Sequence, residues 1–172
     1  MKSDYRARAM RFLHSIYPYI EDYLRDVDAI EYAVNTYNYK HSRKVEMRYG
    51  SARIALITSD YVIKWDYDDE NVTDIGGCEK EWEIYCNAQK DGMEYLLAEC
   101  TLIDYNGTIF EIMPRIRAIG PSHHKTGICY MISCIEEEWL RKVGLLYDLH
   151  DWNWGIMHNK PVIIDYAYIE YD

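Results

Sequence analysis

The sequence predicts an α+β fold with two lobes and a cleft between them. Three observations predict it. Strand-like runs cluster in the first two thirds of the chain, helical patterns stand before, between and after them, and a polar segment followed by a short apolar strand lies near residue 160. The order is helices, two strands, helix, hairpin, helix, loop, strand.

The elements follow in chain order. Residues from about 4 to 36 carry a helical stripe of Met10, Phe12, Leu13, Ile16 and Tyr17, extended by Ile20, Tyr23 and Leu24, with a kink or break expected near Pro18. "KVEMRYGSARIALITSDYVIKWDYD" predicts two strands, in which Ile54 and Leu56, then Tyr61 and Ile63, alternate with their neighbours around a "TSD" turn. "DDENVTDIGG" is a polar loop, and "CEKEWEIYCNAQKDG" is a helix ending near Gly92. "AECTLIDY" and "GTIFEIMPRI" form a hairpin through Asn106-Gly107, whose residues tolerate the positive φ angles of a tight turn. After the loop "IRAIGPSHHKTG", the stretch "ICYMISCIEEEWLRKVGLLYDL" predicts one long helix, and "KPVIIDYA" a final strand.

At 172 residues with 49% hydrophobic side chains, the chain can bury a core as one domain, with a helical extension over residues 1–44. Eighteen tyrosines against two phenylalanines place many rings at the edge of that core, where each hydroxyl finds a partner. A net charge of -10 argues against nucleic acid or an anionic membrane as partner, though not against ATP, whose phosphates need only a local lysine and metal ions. The sequence contains no uninterrupted apolar run of membrane-spanning length, and its first residues do not read as a signal peptide. The five cysteines are odd in number and lack CxxC or zinc-ligand spacing, which fits reduced thiols in a cytoplasmic protein.

Several residues stand out chemically. Lys64, in "YVIKW", shares a strand face with Val62 and so either snorkels from an edge strand or meets an anion. Glu79, Glu81 and Glu83 lie on the next helix; at least two belong to a solvated face, and one can turn inward toward the lysine. Asp148, Asn153 and Asp165 flank the last strand. Asn153 and Asp165 supply the oxygen donors that Mg2+ takes alongside substrate phosphates, and Asp148 is left to accept a hydroxyl proton. The alternative is a loop of turn-forming Asp and Asn residues, with Asp165 as a cap at the end of a buried strand.

Taken together, "YVIKW", the helical glutamates, "IFEIMPRI", "YDLHDWNWG" and "PVIIDYA" resemble the protein-kinase-like superfamily over about residues 45–168, nearest to its small-molecule and phage-encoded branch. The resemblance implies a compact bilobal domain over 45–172, with an antiparallel-sheet lobe over about 45–118 and a reduced helical lobe over about 119–172. It implies ATP and Mg2+ as cofactors, and transfer to a small molecule or to a partner protein such as a host factor. Carried over, Lys64 contacts phosphates and pairs with Glu81 or Glu83, with Glu81 favoured by the register of "KEWEIY". Asp148 becomes the catalytic base, and Asn153 and Asp165 the metal ligands. Gly50 and Ser51 lie in the phosphate-covering turn, and Met113, with the backbone of Glu111, at the adenine-binding hinge.

The chain departs from the family's pattern in four places. Its phosphate loop offers only Gly50 with small Ser51 and Ala52, Leu146 and Tyr147 replace the usual His-Arg, and Asp165-Tyr166-Ala167 replaces Asp-Phe-Gly. The sequence also ends soon after Asp165, so the helices with which kinases of this kind bind peptide have no counterpart in it. Besides an active kinase, two readings therefore follow: a pseudokinase-like module that inhibits or scaffolds a partner, and an unrelated α+β interaction protein.

Overall fold

The first helix follows the predicted stripe. In the computed structural model, which describes residues 5–50, 52–67, 77–119, 132–147, 149 and 153–165, α1 spans Tyr5–Ile20 and buries Tyr5, Ala9, Phe12, Leu13, Ile16, Tyr17 and Ile20. These recur at three- and four-residue steps on one face. Pro18 lies inside α1, and the break falls later, at the short 3-10 turn Glu21–Tyr23. The expected break at Pro18 is thus displaced: proline sits in the last turn, where its missing N–H costs one bond before the helix ends. Asp26 restarts the chain as α2, Val27–His41, its carboxylate accepting from the Ala29 N–H at 3.0 Å. Ser42 closes α2 in the left-handed region at φ 50°.

The chain divides into two compact units, Met1–Cys78 with Thr101–Arg115, and Glu79–Cys100 with Ile116–Asp172. The first holds a five-stranded antiparallel sheet in the order β1-β2-β3-β5-β4, built from β1 Glu46–Tyr49, β2 Arg53–Ile57, β3 Tyr61–Asp66, β4 Thr101–Tyr105 and β5 Thr108–Pro114. Where the sequence predicted two strands before residue 67, there are three. The extra one, β1, is an edge strand with exposed Glu46, Arg48 and Tyr49, so no apolar alternation marks it. The Asn106-Gly107 turn has φ of 54° and 82° and joins β4 to β5, as expected of a primed turn.

Alternation along the strands sends Ile54, Leu56, Ile63, Trp65, Phe110 and Ile112 into one core with the buried faces of α1 and α2. The N-terminal helices therefore share the sheet's core. Trp65 donates its indole N–H to the Leu24 carbonyl at 2.9 Å, tying the connection between the helices to β3. Tyrosines do line the edge of this core. Tyr37 stands edge-on to Phe12 at 5.7 Å with its hydroxyl 3.0 Å from Ser15, and Tyr105 stands 4.9 Å from Tyr17 with its hydroxyl 2.8 Å from His14.

Helix α3, Gly77–Asp91, starts under the Asp66 carboxylate, which accepts from the N–H groups of Gly77 at 2.9 Å and Cys78 at 3.2 Å. A side chain at Gly77 would meet the Arg53 side chain at 2.9 Å and Asp66 Oδ1 at 3.0 Å, so it would have to displace them.

In the second unit, α4 spans only Cys134–Lys142. The predicted long helix is cut at Ser133, whose hydroxyl caps the Glu136 N–H while Glu136 reaches back to the Ser133 N–H at 2.5 Å; residues 128–131 of that prediction lie outside the described residues. At its other end Gly144 turns the chain with φ 80°. Trp139 and Lys142 of α4 both hold Asp91 at the end of α3, at 2.9 Å and 3.6 Å. The predicted last strand is present as β7, Lys160–Ile163, and it pairs with β6, Trp154–Met157, which the sequence reading treated as loop. No described helix is long and apolar enough to cross a membrane.

Candidate functional site

Each unit carries one group of the predicted site residues. In the first, β3 and β5 pair so that Lys64 and Glu111 are direct cross-strand partners, with Ala55 and Leu102 beyond them. Neither belongs to the apolar core formed with α1 and α2. Lys64 Nζ lies 4.0 Å from Glu111 Oε2, and the two side chains are 10% and 0% exposed. Desolvating a lone ammonium or carboxylate is costly, and each of these two charges has the other nearby. The sequence reading assigned Glu111 only a backbone role. The overlooked signal was a glutamate between Phe110 and Ile112 in a central strand, where a charge needs a partner.

The other residues of this group are placed as follows. Met113 is buried on β5 opposite Val62, one step past the last β4 pairing at Ile112. Gly50 lies in the β1–β2 turn, its N–H donating to the Arg53 carbonyl at 2.9 Å and its carbonyl accepting from the Tyr67 hydroxyl at 2.8 Å. Ser51 lies outside the described residues. The three glutamates of α3 belong to the second unit, where Glu81 is buried and Glu79 and Glu83 are exposed.

In the second unit the β6–β7 hairpin sets the geometry. Its turn is His158-Asn159, with φ of 51° and 62°, the same two-residue type as Asn106-Gly107. At the open end the ladder runs one step past Trp154 and Ile163, with the Ile164 N–H donating to the Asn153 carbonyl at 2.7 Å. Asn153 and Asp165 are thereby brought together. Flanking backbone steadies the hairpin on both sides: Ala98 N–H donates to the Ile163 carbonyl and Ile119 N–H to the Trp154 carbonyl, each at 2.8 Å. Gly155 lets this happen, since a side chain there would collide with Ile116 and the Arg117 carbonyl.

Asn153 is 4% exposed. Its Nδ2 donates to the Asp165 carbonyl at 2.9 Å. Because a carbonyl only accepts, this bond fixes which end of the amide is which. Oδ1 then points elsewhere, and it is buried without a hydrogen-bond partner among the described residues. Such an acceptor costs about 1–3 kcal/mol unless something meets it. Asp165 is exposed, so the expected buried charge at the end of the strand is not found: burial stops at Val162 and Ile163. Asp148 lies outside the described residues.

An amide oxygen lacking a donor among the described residues, in a residue bonded to the backbone of an aspartate, suits a hard cation with oxygen ligands. Among the described residues no cluster of three or more His, Cys, Asp or Glu is placed to hold a metal. An amide oxygen and a carboxylate are donor types that Mg2+ takes alongside phosphate and water.

No family model and no curated protein matches the chain. Among solved structures, a co-crystal structure of WbdD with the kinase inhibitor LY294002 aligns with 71% of this chain at 13% identity and a TM-score of 0.36. The alignment covers 32% of that chain, so the present sequence spans about a third of its length. A likeness at this score does not define the fold; the α+β assignment rests on the elements and pairings described above.

Proposed function

We propose that the chain is a kinase-like phosphotransferase that uses Mg2+ and ATP to phosphorylate a hydroxyl of a small molecule or a partner protein. The buried, unpartnered Oδ1 of Asn153 beside Asp165 carries the reading, because it is an acceptor placed where a cation would relieve it. In this reading Asn153 and Asp165 hold Mg2+, which when bound neutralises charge on the phosphates. Lys64 engages the phosphates. Asp148 accepts the hydroxyl proton as the substrate oxygen bonds to the γ-phosphorus and the bond to ADP breaks. The test is transfer of labelled γ-phosphate by wild type and by Asp148→Asn to a panel of hydroxyl compounds and cell-extract proteins. A wild-type rate that falls by about two orders of magnitude in the variant is expected; no transfer by wild type to anything, or equal rates in both, would overturn the enzymatic reading.

Glu111 favours a second reading, a nucleotide-binding module that acts on a partner without transfer. A buried carboxylate 4.0 Å from the Lys64 ammonium offsets the positive charge that phosphates would meet. Mg2+-dependent nucleotide binding with no transfer is the result this reading expects.

A further inference from the structure

One cleft of the first unit belongs to none of the residues above. It has a volume of about 510 Å3 and lies between α1, the α2–β1 connection and the β2–β3 turn. Arg8 and Arg11 come from α1, Arg43 and Lys44 from the connection, and Asp60 from the turn, a local balance of +4 - 1 = +3 in a chain of net charge -10. Opposite charges are plentiful on this protein, yet four cations meet one carboxylate here. Concentrating like charge costs free energy in the absence of an anion, and three of the four are arginines, whose planar fork suits phosphoryl oxygens.

The walls are fixed before any ligand arrives. Asn38 clamps the α2–β1 connection, its side chain donating to the Val45 carbonyl at 2.8 Å and accepting from the Val45 N–H at 2.9 Å. Thr58 ties the β2–β3 turn through its hydroxyl to the Tyr61 carbonyl at 2.8 Å, and Arg115 donates to the Thr58 carbonyl at 2.8 Å. Beneath the cations Phe12, Tyr37 and Tyr61 also line the cleft, with Phe12 centred 5.7 Å from Tyr37 and 5.9 Å from Tyr61. Asp60 sits at the rim and holds Arg8 at 2.7 Å, an internal anion competing for the same positive field.

We infer that this cleft binds a small phosphorylated molecule, its phosphoryl group among Arg11, Arg43 and Lys44 and its body against the Phe12–Tyr37–Tyr61 floor. Preformed walls lower the ordering cost of binding. Its lining shares no residue with the proposed nucleotide–metal set, and binding requires no metal ion.

The experiment is calorimetric titration of phenyl phosphate and of inorganic phosphate in metal-free buffer. Saturable binding is expected, tighter for phenyl phosphate. Arg11→Gln with Arg43→Gln should weaken both by about tenfold or more, since two charge-assisted contacts are lost. Asp60→Asn should tighten both several-fold by removing the competing carboxylate. Lys90→Gln, which removes an exposed cation from α3, should change neither. No saturable binding, a double variant that binds like wild type, an Asp60→Asn variant that binds more weakly, or an equal loss in Lys90→Gln would each overturn the assignment.

Discussion

The Lys64–Glu111 pair on two strands and the Asn153 amide just before a strand are both buried polar groups, but they are satisfied differently. Lys64 and Glu111 face each other across a ladder and each meets the other's charge. Asn153 spends its donor on the Asp165 carbonyl and leaves its acceptor unmet. The first sets two opposite charges against each other at 4.0 Å, where the Glu111 oxygens meet a charge rather than a hydrogen-bond donor. The second is incomplete, and the incompleteness points outward. Buried polarity is informative about function only after its partners have been counted.

Breaking the frame around the pair should have the largest effect. Phe110, fully buried beside Trp65 at a ring separation of 5.6 Å, follows the face opposite to Glu111 on the same strand. Phe110→Ala should cost about 3–5 kcal/mol in denaturant unfolding. A loss below about 1 kcal/mol would mean that the sheet core does not carry the first unit.

Next comes the pair itself. Lys64→Met leaves a buried carboxylate facing an apolar chain and should cost about 3 kcal/mol. Adding Glu111→Leu to that variant should recover most of the loss, because it removes the stranded charge rather than a second interaction. If the double variant loses the sum of the two single changes, the residues do not interact and the contrast with Asn153 collapses.

A smaller effect is expected at the cap of α4. Ser133→Ala should cost about 1 kcal/mol. The hydrogen bond from Ser133 is the first cause holding the Glu136 carboxyl below its ordinary value, with burial acting against it. A carboxylate with a depressed folded-state pKa contributes stability that is present above its unfolded pKa and is lost as pH falls through the folded one. Stability of the second unit should therefore decline as pH falls below about 4.5 and on past the depressed value. Glu136→Gln, which keeps the cap geometry, should remove this Glu136 contribution; an acid profile identical to wild type in that variant would contradict the linkage.

These regions also differ in how far the sequence disclosed them. The Asn106-Gly107 hairpin was legible because its turn chemistry is local, and the stripe of α1 because its period is strong. The cap at Ser133 was written as Ser-x-x-Glu but was overridden by the apolar run before it. β1 and β6 were not legible for physical reasons. An edge strand buries too little to show alternation, and β6 reads as loop through Gly155 until Ile116 and Arg117 are known to press against it. Of the candidate site, the residue types of Asn153 and Asp165 were readable, whereas their meeting depends on the register of a hairpin whose first strand was missed. The Glu111 side chain went unread because its partner lies on another strand, 47 positions away at Lys64 (111 - 64).

The smallest stability change is expected at Asn153 itself. Asn153→Ala loses one amide donor bond but also an unmet acceptor, so the folded state should change by no more than about 1 kcal/mol. The decisive measurement is calorimetric ATP binding with and without Mg2+, made on wild type, Asn153→Ala and Asp165→Asn after each variant is verified to unfold cooperatively. The account predicts Mg2+-dependent binding in wild type and its loss in both variants, with stability nearly unchanged. Mg2+-ATP affinity that is the same in folded Asn153→Ala and Asp165→Asn as in wild type would contradict the claim that the unmet oxygen at the open end of the hairpin is a metal site.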